Sequence, residues 1–402
     1  MTLTPDSPST VDASPHESDL QVWLRLIPIM ISCGLMTIAY SYTMPAFALV
    51  MEYRGIPAWV IGINSGSQNF IIIAIGIFMP RFLRTTGLWR GMMLGVLSAL
   101  VAALAMMAVE PPWGWLPFRM LTGFGFYIAF IGGEVWISQE AGDRLRGRIV
   151  GAFGSVCAAG LFIGPLLVQW TGTAGLTPFL VSSALIGTAI FPLLLMRKTN
   201  PPMDASSGTR LLGYLRLLPV LIPMILLYGV LDQSLIALLP IYGLHAGLGE
   251  DRALLLLTVW IAGAVILQIP MGRLGDLVGR RRVMILCGAS ALIACVLLPF
   301  VIHGSVALWI VLVICGAGVM GMWTVSLAAL GDRFRGNDLA AATTMYSICY
   351  AIGASVGPSI AGAGMNLWDP HGLMVTLGVF AGSFVVFALL YSFRHGWRER
   401  DT

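Results

Sequence analysis

The chain has 402 residues, of which 57% are hydrophobic and only 10% are charged, and its net charge is +4. A soluble domain usually carries about 25% charged residues, so this chain has too few charges to cover an aqueous surface. Apolar runs long enough to cross a bilayer recur along it, without the apolar/polar alternation of barrel strands. The composition excludes a soluble protein and a porin, and it predicts an all-α integral membrane protein.

Clusters of charged residues, proline and glycine divide the apolar sequence into twelve predicted transmembrane helices. They cover residues 22–50, 57–80, 90–109, 114–140, 147–170, 175–196, 213–245, 252–271, 283–303, 305–330, 338–364 and 371–394. We expect two six-helix bundles that are joined by a cytoplasmic linker and flanked by cytoplasmic tails, the first of them disordered. The predicted divisions are 1–21 for the N-tail, 22–196 for the first bundle, 197–212 for the linker, 213–394 for the second bundle and 395–402 for the C-tail.

Basic residues occupy every second segment between the helices and the C-terminal end. They are Arg81, Arg84, Arg90, Arg144, Arg146, Arg148, Arg197, Lys198, Arg210, Arg273, Arg280, Arg281, Arg282, Arg333, Arg335, Arg394, Arg398 and Arg400. The intervening loops contain only Arg54 and Arg252. Because cytoplasmic loops are enriched in Arg and Lys, both termini are predicted to lie on the cytoplasmic side of a bacterial inner membrane. This topology accounts for the positive charge, and no nucleic-acid partner is expected.

The two halves of the chain repeat the same short motifs. Residues 80–90 align without a gap with 272–282, which lie 192 positions further on, and the motif at 142–147 recurs at 331–336. A Gly-xxx-Gly-Pro pattern ends at Pro165 in the first half and at Pro358 in the second. These repeats indicate a duplication of six helices, an arrangement that places a binding site between two pseudosymmetric bundles.

Several of these motifs resemble those of the major facilitator superfamily. Residues 272–282 (GRLGDLVGRRR) resemble its cytoplasmic loop motif, Arg119-xxx-Gly123-x-Gly125 its second motif, and the glycines before Pro165 the start of its antiporter motif. The segment 80–90, Glu134-x-Trp136 and the stretch 357–373 look most like the YcaD-like branch of the drug:proton antiporter group. The resemblance implies twelve helices in two bundles that work by alternating access. Leu166 and Leu167 stand where the antiporter motif usually continues with paired glycines.

Three ionisable residues in predicted helices are candidates for proton coupling. Glu134 in helix 4 and Asp232 in helix 7 are intramembrane acids, which are costly in lipid and therefore functional candidates by default. The family resemblance implies a coupling role for Arg119, about 22 Å from Glu134 along the same helix. Asp232 is alternatively a contact for a cationic substrate, and each of the three is alternatively a structural polar contact between helices.

Uncharged polar and aromatic residues in the predicted helices suit a site for an amphipathic organic molecule. Asn64 and Gln68 are four residues apart and share a helix face. The alternative for any one of these residues is packing between helices. The candidate substrate-binding residues are Tyr40, Tyr42, Asn64, Gln68, Tyr127, Trp136, Gln233 and Trp323.

A charge clasp between the halves is predicted at the cytoplasmic ends. Asp276, in the motif with Arg280, would pair with Arg148 at the start of helix 5, where the helix dipole favours a carboxylate. In the other half the charges are exchanged, and Arg84 would pair with Asp338. Alternatively, these arginines only set the topology. A separate set of small residues is predicted to bring helices into close contact, and it consists of Gly160, Gly164, Pro165, Gly353, Gly357 and Pro358.

The sequence contains no motif for catalysis or for a cofactor. The six cysteines lie in apolar segments without metal-ligand spacing, and neither a P-loop nor a hydrolase motif is present. We therefore expect no enzyme, no catalytic residue, no metal and no cofactor. The predicted function is proton-coupled efflux of amphipathic compounds by a monomer whose partners are a small-molecule substrate, protons and the lipid bilayer. Proton-coupled uptake of a vitamin or aromatic acid, and a non-transporting sensor or assembly factor, remain alternatives.

Overall fold

The computed structural model describes residues 19–76, 78–197, 218–304 and 306–395, and the regular elements in these ranges are all helical. The predicted N-tail, linker and C-tail lie almost wholly outside the described residues. The helices are α1 Asp19–Tyr53, α2 Ala58–Ile75, α3 Met79–Thr86, α4 Leu88–Ala105, α5 Leu116–Glu140, α6 Gly142–Thr171, α7 Thr177–Leu195, α8 Leu221–His245, α9 Glu250–Ile266, α10 Gln268–Val278, α11 Arg280–Val301, α12 Val306–Arg333, α13 Gly336–Leu367 and α14 Gly372–His395. A short 3-10 turn, Met106–Ala108, follows α4.

Eleven of the described helices are long and apolar enough to cross a membrane. The pair α9 and α10, bent by 45° at a short break, passes the same test together, which gives up to twelve spans if the pair counts as one. Helices are the expected solution because lipid offers no hydrogen-bond partner to the backbone, so each segment must satisfy its own amide and carbonyl groups. The described helices thus supply eleven to twelve candidate spans, against the twelve that were predicted.

The two cytoplasmic loops predicted around residues 80–90 and 272–282 are instead largely helical, which corrects the sequence interpretation. α3 fills most of the first segment and α10 most of the second. Each helix ends at a glycine with positive φ, Gly87 at +82° and Gly279 at +100°, which starts the next span. Their charged residues are favourable in water, so these short helices can extend beyond the apolar layer. Glycine adopts a positive φ without steric cost, and this permits the sharp turn.

The two halves, residues 19–197 and 218–395, pack their helices in corresponding ways. α1 packs on α6 as α8 packs on α13, and α4 packs on α5 as α11 packs on α12. The halves meet along α2 and α13, α6 and α9, and α1 and α8, with a smaller contact between α2 and α8. This interface lies between two repeats, where transporters of this kind of architecture place their sites.

The helix ends that carry most of the arginines define one face of the molecule, here called the arginine-rich face. On the opposite face, α2 and α13 approach closely enough for backbone contact. Gly62 lies against the carbonyl of Pro358, Gly66 against that of Ser355, and Gly362 against that of Ala58. Because a Cβ at any of these glycines would collide with backbone, the halves are packed tightly together toward the opposite face.

Candidate functional site at the junction of the two halves

Gln233, near the middle of α8, connects the two halves through its side-chain amide. Its Oε1 accepts a hydrogen bond from Asn69 Nδ2 of α2 at 3.2 Å, and its Nε2 donates to the Tyr40 hydroxyl of α1 at 2.7 Å. The same nitrogen lies 3.2 Å from the Tyr350 hydroxyl of α13. One fully buried side chain therefore contacts three helices from both halves.

Asp232 adds an ionisable group to this network. Its carboxylate accepts a hydrogen bond from the Tyr350 hydroxyl at 3.0 Å and lies 3.3 Å from Gln233 Nε2. The side chain is 6% exposed, and among the described residues it has no basic partner within ion-pair distance. Burying a charged carboxylate without a cation in an apolar layer costs free energy. The size of this cost depends on the hydrogen bonds that the acid accepts and on whether it is protonated.

Aromatic rings of the C-terminal half surround the acid. Tyr228 packs against Trp323 and Tyr350 with ring centroids 5.6 and 5.3 Å apart, and Trp323 also contacts Tyr346 at 5.2 Å. On the other side of the junction, Tyr40 makes an edge contact with Phe126 at 5.4 Å. Such rings offer flat apolar surfaces beside a few hydrogen-bonding groups, which is the usual lining of a site for an organic ligand.

A small cavity of about 30 Å³ opens beside Asp232. Tyr40, Ser41 and Leu161 of the N-terminal half form one wall, and Ile236 and Trp260 are among the residues of the other. The volume suffices for one or two water molecules but not for an organic substrate. In this conformation the junction is collapsed around the polar network.

The predicted substrate-binding residues lie in three different surroundings. Tyr40, Gln233 and Trp323 belong to the junction, and Tyr127 is half-buried near the end of α2. The remaining four pack inside the N-terminal half: Tyr42 bonds Thr171, Asn64 donates to the carbonyl of Pro112, Gln68 donates to Thr122, and Trp136 is fully buried in the core.

Four junction residues, Asn69, Tyr228, Tyr346 and Tyr350, were not in the predicted set of substrate-binding residues, and two of them could have been found from spacing. Tyr346 and Tyr350 are four residues apart on α13 and so lie on one helix face. Asn69 immediately follows Gln68 in a polar stretch of α2. Nothing in the sequence says that Asn69, rather than Gln68, points toward the other half.

The two charged candidates on α5 occupy very different surroundings. Arg119 is fully buried, with Nη2 3.4 Å from the Met44 sulfur and its guanidinium 5.5 Å from the centre of the Phe47 ring. Glu134 is exposed near the other end of α5, six residues before Glu140. Asp232 is thus the acid enclosed at the junction of the halves, and a coupling role for Glu134 stays a prediction.

The predicted clasp is not formed in this conformation. Asp276 pairs with Arg280 at 2.6 Å, and Arg280 also contacts Asp332 at 3.2 Å, so this ion network stays within the C-terminal half. Among the ion pairs of the described side chains, none joins Asp276 to Arg148 or Arg84 to Asp338. The clasp stays a prediction for the state in which the arginine-rich face is closed.

The glycines of the two Gly-xxx-Gly-Pro motifs lie at close helix contacts. Gly160 and Gly164 face α1, where Ser41 Oγ donates to the carbonyl of Gly160 at 2.8 Å. Gly353 and Gly357 face α8 near Leu226 and Val230. Pro165 and Pro358 lie inside α6 and α13, one residue after each motif's second glycine. The motifs thus hold corresponding helix pairs together in the two halves.

The opposite face is joined by polar contacts as well as by packing. Tyr53 of α1 donates to Glu250 of α9 at 2.8 Å, and Thr173 donates to the same carboxylate at 3.2 Å. Asn366 accepts a hydrogen bond from the backbone of Trp59 at 3.0 Å. With the contacts of α2 and α13, these bonds close this face between the halves.

Sequence comparison relates the chain to transporters. A sequence model of the family described as Major Facilitator Superfamily matches residues 247–401. The uncharacterized MFS-type transporter YfkF of Bacillus subtilis (strain 168) is 22% identical over 375 residues, which cover 89% of this chain and 93% of the relative. The uncharacterized MFS-type transporter YcaD of Escherichia fergusonii is 24% identical over 386 residues, covering 94% and 98%. The predicted resemblance to the YcaD-like branch is confirmed.

Solved structures share the fold at low sequence identity. The nucleoside transporter NupG superposes with a TM-score of 0.73 at 13% identity, covering 93% of this chain and 100% of that chain. A bacterial homologue of the human lysosomal transporter Spinster, in an inward-facing and unoccupied conformation, gives 0.71 at 15% identity and covers 94% and 97%. The predicted two-bundle fold is confirmed. The relatives are named transporters and not enzymes, in agreement with the sequence interpretation.

Proposed function

We propose that this major facilitator superfamily transporter, a multi-pass membrane protein with the fold of secondary transporters, exports small amphipathic organic compounds in exchange for protons. The arginine-rich face lies in the cytoplasm in this proposal, because arginine is retained on the cytoplasmic side of bacterial membranes. Both termini are then cytoplasmic, and the closed opposite face is extracytoplasmic. The chain works as a monomer with one site at the junction of its halves.

The observation that carries the proposal is the network of Asp232 and Gln233. It places an acid at the point where α1, α2, α8 and α13 meet, so any rearrangement of the halves changes the hydrogen bonds around that acid. A buried carboxylate is far more costly when it is charged than when it is protonated. Movement of the halves and proton binding are therefore coupled through Asp232.

The surroundings of Asp232 favour amphipathic, aromatic or cationic compounds. When the cytoplasmic side admits a substrate, its apolar body can lie on Tyr228, Trp323 and Tyr350. A protonated amine of the substrate can then take the place of the proton on Asp232, since an ionised carboxylate only accepts hydrogen bonds. Proton and substrate exclude one another at this acid, which is the condition for exchange.

Arg119 and Glu134 have lesser parts in this proposal. Arg119 is buried between α1 and α5 without a carboxylate partner among the described residues, so we assign it to shaping the N-terminal wall. Glu134 is exposed near the cytoplasmic end of α5, where it can attract protons or cationic substrates toward the site. We assign the exchange of a proton for a substrate to Asp232.

The test is the collapse of a pH gradient in everted membrane vesicles. Vesicles containing wild type, Asp232→Asn or Glu134→Gln are energised, and a fluorescent weak base reports interior acidity while lipophilic cations, neutral aromatics and vitamins are added. We expect amphipathic cations to release protons from wild-type and Glu134→Gln vesicles, and not from Asp232→Asn vesicles that contain equal amounts of protein.

Two results would count against the proposal. Equal proton release from the Asp232→Asn vesicles would remove this acid from coupling. The second result has two parts: no compound releases protons from wild-type vesicles, and a labelled vitamin or aromatic acid accumulates in right-side-out vesicles. This result would favour uptake instead of export.

A further inference from the structure

His245 ends α8 on the opposite face and lies between two carboxylates. Its Nε2 is 2.6 Å from Glu52 Oε1 of α1, and its Nδ1 is 2.6 Å from Asp369 Oδ1 in the connection between α13 and α14. Glu52 belongs to the N-terminal half, whereas His245 and Asp369 belong to the C-terminal half. The histidine therefore bridges the two halves at the closed face.

This arrangement requires one more proton than a neutral imidazole carries. A neutral histidine has one N–H group, and ionised carboxylates can only accept hydrogen bonds. Two bonds at 2.6 Å need either an imidazolium or a protonated carboxyl group. Whichever atom holds it, the bridge contains one proton beyond the ordinary charge state of these three groups.

Opening of the opposite face would break this bridge at one bond. α1 and α8 separate when the halves part, so the contact of Glu52 with His245 is lost while Asp369 stays with its own half. An imidazolium with one carboxylate neighbour is less stabilised than one with two. The closed face consequently holds the extra proton more firmly than the open face does.

The other ionisable groups near this bridge have partners of their own. Glu250 accepts hydrogen bonds from Tyr53 and Thr173, and Arg54 pairs with Glu110 at 2.7 Å. On the side of α14, His371 Nδ1 lies 3.4 Å from the Tyr242 hydroxyl. In the described part of the chain, the charged contacts of His245 are thus Glu52 and Asp369.

We propose that Glu52, His245 and Asp369 form a proton-binding latch, which closes the opposite face when it binds a proton and releases that face when the proton leaves. The inference rests on the proposed function for the assignment of this face to the outside. It adds a second proton site, remote from Asp232, which acts on the gate and not on the substrate. Acidic medium outside then favours closure after substrate release, and alkaline medium favours opening.

The test measures the width of the opposite face against pH in the purified full-length protein. Spin labels are attached at Leu176→Cys in the N-terminal half and Leu367→Cys in the C-terminal half, both exposed positions outside the latch. The six native cysteines are buried, and protein without the two new cysteines gives the background labelling. Electron–electron distances are recorded between pH 5 and pH 9 without substrate.

We expect the ratio of closed to open molecules to fall as pH rises, by at most about tenfold per pH unit for one proton. His245→Gln should abolish this dependence, since glutamine does not titrate. His245→Lys should keep the face closed across most of the range, because its permanent charge replaces the imidazolium. All of these proteins also carry Asp232→Asn, so that titration of the acid at the junction does not contribute to the response.

A flat response in the Asp232→Asn protein, or an unchanged response when His245→Gln is added to it, would each overturn the latch. No substrate enters this experiment, so its outcome is separate from that of the vesicle test. A response that depends on His245 combined with absent export would retain the latch and reject the proposed function.

Discussion

Gln233 of α8 donates a hydrogen bond of 2.7 Å to the hydroxyl of Tyr40 on α1, across the boundary between the two halves. Its carbonyl oxygen accepts from Asn69 of α2, so both ends of one amide are bonded to the opposite half. These bonds must be broken or exchanged when the halves move. Gln233 therefore ties the movement of the halves to the acid beside it.

Replacing Gln233 by methionine should reduce transport by roughly tenfold or more, because two hydrogen bonds to the other half are lost, each worth about 1 kcal/mol. The matched control is Gln68→Met, since Gln68 is also buried but bonds Thr122 within its own half. Vesicle transport and thermal unfolding are measured for both. Equal loss of transport in the two variants would mean that only packing is affected.

Gly62→Ala should prevent closure of the opposite face, because the added Cβ would meet the backbone of Pro358. We expect transport to fall by at least about tenfold, and a cysteine on this face to become more reactive to a membrane-impermeant thiol reagent. Gly154→Ala in α6 is the control, since nothing lies within 4 Å of its Cβ position. Normal transport by Gly62→Ala would show that closure of the opposite face does not require this close backbone contact.

Trp323→Leu should weaken the binding of aromatic substrates by about 3- to 10-fold, since ring contacts contribute about 0.5–1.5 kcal/mol beyond buried area. Turnover at saturating substrate should change less. Trp170→Leu serves as the control, because that ring is 78% exposed on α6. The half-saturation concentration is measured in vesicles. An unchanged value for Trp323→Leu would place the substrate away from this wall.

Asp276→Arg should impair transport if Asp276 forms the predicted clasp with Arg148 when the arginine-rich face closes. The double variant Asp276→Arg with Arg148→Asp should then recover most of the activity, because the opposite charges are restored in exchanged positions. If the arginines only set topology, the second change brings no recovery. Transport per amount of inserted protein distinguishes the two results.

Much of this architecture can be predicted from the sequence, because long apolar segments leave a helix as the available structure in lipid. The helices α3 and α10 escape such prediction, since they are short and amphipathic. Asp232 stands out as an acid in an apolar run. The direction in which a polar helix face points is harder to predict from sequence. Asn64 and Gln68 share a face as expected, but that face packs inside their own half.

The junction itself depends on contacts between residues far apart in the chain. The bond between Tyr350 and Asp232 spans 118 positions and that between Asn69 and Gln233 spans 164. Helical periodicity says nothing about such pairs. The exposure of Glu134 is likewise set by the way α5 packs against its neighbours.

The most direct test of the central claim is proton release when substrate binds to the purified transporter in weakly buffered solution with a pH indicator. The compound is one that collapses the gradient in wild-type vesicles, and binding is followed separately by calorimetry. We predict that wild type releases up to about one proton per bound molecule, and that Asp232→Asn binds the compound more weakly and, where calorimetry shows it bound, without release. Undiminished release from Asp232→Asn would contradict the exchange of proton and substrate at Asp232.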